Sequence, residues 1–143
     1  MIPESLITST QSVTVPESLK NRMESVIKLY LPNYRVIWSD RLYTVAACTY
    51  ENTNTISFSN SLMNEWYATN PFREHDYLII VFHEIAHALH KPRPKNEKPH
   101  GREWLEIFIR LLHENNLGDY EESVRENPTL KPLHNNRNKE VIQ

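Results

Sequence analysis

The chain has 143 residues, 39% of them apolar and 24% charged, which is the profile of one globular domain with its own core. Its net charge of −2 excludes a molecule that attracts polyanions over its whole surface. Its single cysteine, Cys48, excludes both a disulfide within the chain and a zinc site built from cysteines.

The sequence contains no apolar stretch long enough to cross a bilayer, so we expect no membrane partner. The N-terminal segment 1–5 lacks a basic region followed by an apolar core, and we therefore expect no signal peptide. With the lone thiol, these features favour a cytoplasmic, intracellular protein, located at the nucleoid or in the nucleus if it associates with DNA. We also expect a monomer.

The first half of the chain predicts one helix followed by three short strands. A helical stripe of apolar residues runs from Leu19 to Tyr30 and ends at Pro32. Because the connections between the strands are short, we expect a small antiparallel three-stranded sheet packed against helices, an α+β fold. The strand segments are rich in Val, Ile, Tyr, Trp and Thr and comprise residues 34–39, 43–50 and 55–59.

The second half predicts helices. A short helix breaks at Asn70-Pro71. A strongly apolar helix then covers about residues 73–90, and an amphipathic helix covers residues 102–115. Gly118 is predicted to end the amphipathic helix as a left-handed cap.

The composition also predicts the domain boundaries. Residues 1–13 are polar and predict a flexible arm, and residues 127–143, rich in Asn, Pro, Lys and Glu, predict a flexible tail. Residues 14–126 are the predicted folded domain.

The most informative stretch of the chain is His83-Glu84-Ile85-Ala86-His87, an H-E-x-x-H pattern in the centre of the apolar helix. Two histidines four residues apart lie on one helix face, so both imidazoles can meet one cation, with Glu84 placed beside them as a general base. The pattern therefore indicates a zinc hydrolase. The alternative is a buried helix with histidines at this spacing by coincidence, but three buried polar residues need partners, which a metal supplies.

A zinc hydrolase needs a third protein ligand, and four residues are candidates. His90 follows on the same helix, and three ligands from one straight helix converge poorly, so we expect His90 at the surface or beside a ligand. Glu103 and Glu106 remain open, since some zinc peptidases take a Glu from the next helix. His100 is the stronger candidate, because the Pro-rich loop before it can fold back onto the motif helix.

The two motifs together resemble those of a known family. The H-E-x-x-H stretch followed by His100-Gly101-Arg102-Glu103-Trp104 is similar to the H-E-x-x-H…H-G-x-E-W signature of the SprT-like (Spartan-type) metallopeptidases, a family associated with proteolysis of DNA–protein crosslinks. Residues 38–42 and 56–59 also resemble the strands that precede the family's metal helix. The resemblance covers roughly residues 15–115.

The resemblance implies functional roles for six residues. It implies zinc as the cofactor, with Glu84 as the general acid/base that takes a proton from the attacking water and passes it to the leaving amine. It also implies two supporting residues, with Trp104 packing the loop onto the core and Glu103 orienting a ligand or an Arg. The implied zinc ligands are His83, His87 and His100.

The chain departs from the family pattern at two places. Ala46-Ala47-Cys48 stands where many relatives carry a Gly-containing motif, and one cysteine leaves no C-terminal zinc ribbon of the kind found in bacterial SprT. The resemblance therefore supports the catalytic core better than it supports targeting to DNA.

A basic segment between the two motifs is the sequence feature that favours DNA. It is either a solvated loop or an electropositive rim that contacts phosphates without sequence preference. The segment contains a single acidic residue, Glu97. Its basic residues are Lys91, Arg93, Lys95, Lys98 and Arg102.

These features predict a zinc-dependent endopeptidase whose partner is a protein substrate, with DNA-bound proteins as the candidate target. One alternative is a non-catalytic, zinc-containing, nucleic-acid-associated binding module. Glu84 argues against it, because a structural zinc site needs no carboxylate there. Another alternative, a metal-free interaction protein, leaves three ligand-competent histidines at the family's spacing unexplained.

Overall fold

The computed structural model describes residues 13–69, 74–90 and 100–129. The chain divides into two compact units, Met1–Leu78 and Ile79–Gln143. Helices and a three-stranded sheet together confirm the predicted α+β class. The first twelve residues of the predicted arm and residues 130–143 of the predicted tail lie outside the described ranges.

Helix α1, Glu17–Tyr30, is the first element of the N-terminal unit. Leu19, Met23 and Ile27 are buried and recur every four residues, which gives the helix one apolar stripe. Pro32 follows the last turn, where a residue without an N–H cannot continue the helix.

The sheet consists of β1 (Arg35–Ser39), β2 (Ala47–Tyr50) and β3 (Thr55–Ser59) in the order β1-β3-β2. The central strand β3 is buried along its whole length. Strands β2 and β3 are antiparallel, as expected. Strands β1 and β3 are parallel, with Arg35 opposite Thr55, so the sheet is mixed rather than fully antiparallel.

The parallel pair forms because β2 takes the far edge of the sheet. A parallel connection requires about a dozen or more residues. Each loop taken singly is too short, but the whole segment 40–54, which contains β2, links β1 to β3. Because the connection includes β2 as well as both loops, it is long enough for a parallel pair, and the prediction of antiparallel pairing is wrong for β1 and β3.

Two further helices follow the sheet. Helix α2, Asn60–Thr69, ends near the predicted Asn-Pro break, and helix α3, Glu74–Leu89, corresponds to the predicted apolar helix. The Tyr77 hydroxyl near the start of α3 is buried and donates to the Met63 carbonyl at 3.0 Å. Helix α3 continues into the second unit, where it carries the H-E-x-x-H motif.

The second unit adds helix α4, Arg102–Glu114, and the short helix α5, Glu121–Glu126. The left-handed residue after α4 is Asn116, with φ of 62°, and not Gly118 as predicted. Gly118 lies close against the His113 ring, and a Cβ at this position would require that ring to move. Within the described ranges, the helices all fall short of the length and apolarity that a membrane span requires.

Candidate metal centre

The three histidines of the two sequence motifs converge in the second unit. The Nε2 atom of His100 lies 3.0 Å from Nε2 of His87 and 3.3 Å from Nε2 of His83. One ring nitrogen from each histidine lies within 4.8 Å of the others. Across the part of the chain that the structure describes, this is the one group of His, Cys, Asp and Glu side chains that can hold a metal ion.

Local structure explains how these three rings are presented. His83 and His87 occupy successive turns of α3, so their side chains leave the helix on one face. His100 precedes Gly101, the N-cap of α4, whose carbonyl accepts a hydrogen bond from the Leu105 N–H at 3.0 Å. The third histidine is therefore attached directly to the first turn of a helix.

The spacing of the three nitrogens fits zinc. With Zn–N bonds of about 2.0–2.1 Å, two ligands of a tetrahedral ion lie about 3.4 Å apart. The two measured Nε2–Nε2 distances, 3.0 and 3.3 Å, are close to this value. Three imidazoles also match the nitrogen donors that zinc prefers, and among the described residues they leave one position of a tetrahedron for a water or a substrate.

The environment of His83 keeps its imidazole neutral. The side chain is buried, and burial lowers the pKa of His83 well below its usual range, with further lowering from the His87 and His100 rings. The Pro128 carbonyl raises this pKa slightly without completing a hydrogen bond to the buried Nδ1 atom. Only the neutral ring offers a lone pair to a metal, so this environment favours metal binding.

Glu84, the predicted general base, lies beside this cluster. Its side chain is 7% exposed, and its Oε2 atom lies 3.9 Å from Nε2 of His83. It is not a member of the metal-binding group, which contains only the three histidines. A buried carboxylate next to a histidine group that could hold a metal, but outside that group, is suited to proton transfer.

Trp104 contacts all three histidine rings. Its ring centroid lies 4.8 Å from that of His83, 5.0 Å from that of His87 and 4.7 Å from that of His100. Its indole N–H donates to the His83 carbonyl at 3.4 Å, and the side chain is fully buried. The sequence predicted that Trp104 packs the loop onto the core, and the structure places it directly against the histidines.

The other candidate ligands do not join the histidine group. Glu103 Oε1 lies 3.3 Å from Nε2 of His90, and Glu106 pairs with Arg125 through two contacts of 3.0 and 3.2 Å. The pair with Arg125 holds the pKa of Glu106 below its usual range. His90 was expected either at the surface or beside a ligand. Because it is buried, the surface position is excluded.

Phe108 also contacts the site, a contact that was not predicted from the sequence. Its ring lies edge-on to that of His83, with centroids 5.4 Å apart. The helical periodicity predicts that Phe108 is apolar and inward-facing, but periodicity alone cannot name the ring that it meets.

The basic segment can be located only in part. Arg102 is exposed at the first position of α4, two residues after His100. Lys91, Arg93, Lys95 and Lys98 lie outside the described residues. The predicted basic rim therefore stays a prediction.

Comparison with known protein families gives a match that covers most of the described chain. The model of the SprT-like family matches residues 17–125, a range that includes the sheet, both sequence motifs and most of α5. Neither the curated proteins nor the solved structures contain a match to the chain.

Proposed function

Because the chain belongs to the SprT-like family, we propose that it is a zinc-dependent endopeptidase that hydrolyses peptide bonds in protein substrates. One observation carries the proposal: three histidine nitrogens converge on one point, with the buried carboxylate of Glu84 beside them. The residues proposed to hold zinc are His83, His87 and His100.

In this proposal the protein side chains position the ligands and move a proton. Bound zinc supplies a Lewis acid, which makes a water more acidic and polarises the scissile carbonyl. Glu84 accepts a proton from the attacking water and then donates it to the leaving amine. Trp104 holds the three histidine rings in place through its contacts with each of them.

The composition of the site favours catalysis over a purely structural zinc. Structural zinc sites are closed by four protein ligands, whereas catalytic sites keep a position open. Within the described ranges the metal-binding group holds three histidines, and the adjacent carboxylate stands outside it. A binding module would have no use for a buried acid at this place.

The proposed function is tested by coupling metal content to proteolysis. We expect about one zinc per chain, and cleavage of a protein substrate that is lost on chelation and recovered when zinc is restored. A disordered protein and a protein crosslinked to an oligonucleotide are both assayed, because activity on one of them alone is informative. A zinc-loaded chain that cleaves neither would support the binding module instead.

We further propose that the substrates include DNA-bound proteins, recruited by the basic rim of Lys91, Arg93, Lys95, Lys98 and Arg102. With a net charge of −2, binding to DNA depends on a local patch. We expect reversal of the first three residues to Glu to abolish binding of a labelled oligonucleotide in fluorescence anisotropy. In wild type, affinity falls steeply with salt, and each lost phosphate contact lowers the log–log slope by about 0.9.

The matched control changes the same charge in the predicted tail, by reversing Lys131, Arg137 and Lys139 to Glu. This variant keeps its DNA affinity if the rim is the binding surface. Equal loss in both triple variants would indicate a general effect of charge. A wild-type chain that binds no oligonucleotide at low salt would leave a zinc peptidase without a DNA partner.

A further inference from the structure

Two side-chain pairs link the end of α3 to the start of α4 and the residues just before it. His87 lies 3.0 Å from His100 through their Nε2 atoms, and His90 Nε2 lies 3.3 Å from Glu103 Oε1. The partners are 13 residues apart in both pairs. Each member of the second pair follows its counterpart in the first pair by three residues.

We propose that His90 and Glu103 form a latch that positions His100, the third metal ligand. The proposal rests on the proposed function, because it takes the three histidines as zinc ligands. In this assignment His90 and Glu103 are positioning residues and do not touch the metal.

The latch acts on His100 through a short connection. Gly101 lies between His100 and the helix, and its carbonyl already accepts the first hydrogen bond of α4. A constraint on Glu103 in the first turn therefore also limits where the backbone of His100 can lie. His100 needs this constraint more than its partners do, because it is exposed and belongs to no helix, whereas His83 and His87 are carried by α3.

The first turn of α4 is held in two directions. Trp104 is fully buried and donates its indole N–H to the His83 carbonyl. Glu103, the preceding residue, projects about 100° away around the helix and reaches His90. The His90 side chain, directly after the last residue of α3, is only 7% exposed, whereas that of Glu103 is 70% exposed, so a buried partner holds one end of a mostly exposed side chain.

Glu103 could also act through its charge at the helix N-terminus, and this alternative predicts a different effect of mutation. An acidic residue in the first turn also interacts favourably with the positive end of a helix. That interaction requires the negative charge, whereas the latch requires an acceptor oxygen for the His90 N–H. Glu103→Gln removes the charge and keeps the oxygen, and Glu103→Ala removes both.

The test measures zinc affinity by competition with a chromophoric chelator. We expect Glu103→Ala to weaken zinc binding by about 10-fold, the lower end of the range for residues that support metal ligands. Glu103→Gln should retain most of the wild-type affinity, and the visible spectrum of bound Co²⁺ should be altered in the Ala variant alone. The matched control is Glu106→Ala, which removes an exposed carboxylate one turn further along α4 that pairs with Arg125 and leaves zinc affinity unchanged.

A double-mutant cycle with His90→Ala tests the pairing itself. If the two residues act through each other, the double variant binds zinc about as weakly as either single variant. Additive losses, equal losses in the Gln and Ala variants of Glu103, or a lower melting temperature without a change in zinc affinity would each overturn the latch. Zinc binding without proteolysis would refute the proposed function and leave the latch measurable, whereas a wild-type chain that binds no zinc would refute both.

Discussion

Replacing Glu84 with Gln is expected to lower the rate of peptide cleavage by about 10²–10⁴-fold, the range for loss of a general acid/base. This corresponds to roughly 2.7–5.5 kcal/mol of transition-state stabilisation. Gln has the same shape and keeps one oxygen, but it cannot accept the proton of the attacking water. Because Glu84 stands outside the histidine group, zinc content should stay at the wild-type level. The measurements are steady-state cleavage and metal analysis on the same preparations.

The control for this variant is Glu74→Gln. Glu74 lies in the first turn of the same helix, is partly exposed and pairs with Arg22 at 2.9 Å. Removing this charge should leave cleavage unchanged. Two results would contradict the assignment of Glu84: substantial cleavage in Glu84→Gln would mean that another group serves as the base, and loss of zinc would mean that Glu84 maintains the site instead of moving a proton.

Replacing His100 with Ala is expected to remove tight zinc binding, with a loss larger than the roughly 10–100-fold typical of residues that only support a ligand. Two histidines on one helix face provide too few protein ligands for a catalytic zinc site. His100 is exposed and precedes the helix, so its loss should leave the metal-free fold intact. Zinc affinity and the melting temperature of the metal-free protein are the two measurements.

Alanine variants of two further histidines serve as controls for His100→Ala. His90→Ala should weaken zinc only to the extent expected for the latch, and His75→Ala, at an exposed position near the start of α3, should have no effect. A loss with His90→Ala as large as with His100→Ala would identify His90 as a ligand. Retention of tight zinc binding in His100→Ala would show that the metal is held elsewhere.

Some features of the site follow from the sequence because they depend on residues within one or two helical turns. The pairing of His83 with His87 is of this kind, since any helix brings residues four apart onto one face. The central position of the helix also follows, because its residues are apolar on nearly every side. The choice of His100 needed the family resemblance in addition, because helical geometry does not extend across a Pro-rich loop.

Other features depend on where segments distant in sequence meet, and the periodicity of apolar residues does not predict these contacts. The parallel pairing of β1 with β3 depends on which edge of the sheet β2 takes. The distinct partners of two glutamates on α4 are also a tertiary result: Glu103 meets His90, and Glu106 meets Arg125. Both glutamates are acidic residues on the same helix, and only packing separates their roles.

The division between the two sources of information is clearest at Trp104 and Gly118. The sequence determined that Trp104 is an inward-facing aromatic residue on α4, but only the tertiary structure set its ring against all three histidines. The sequence predicted that Gly118 is the left-handed residue after α4, whereas in the structure that residue is Asn116, and Gly118 lies close against the His113 ring. Hydrogen bonds and side-chain spacing within a helix act over a few residues, whereas ring contacts and close approaches are decided by segments that become neighbours only when the chain folds.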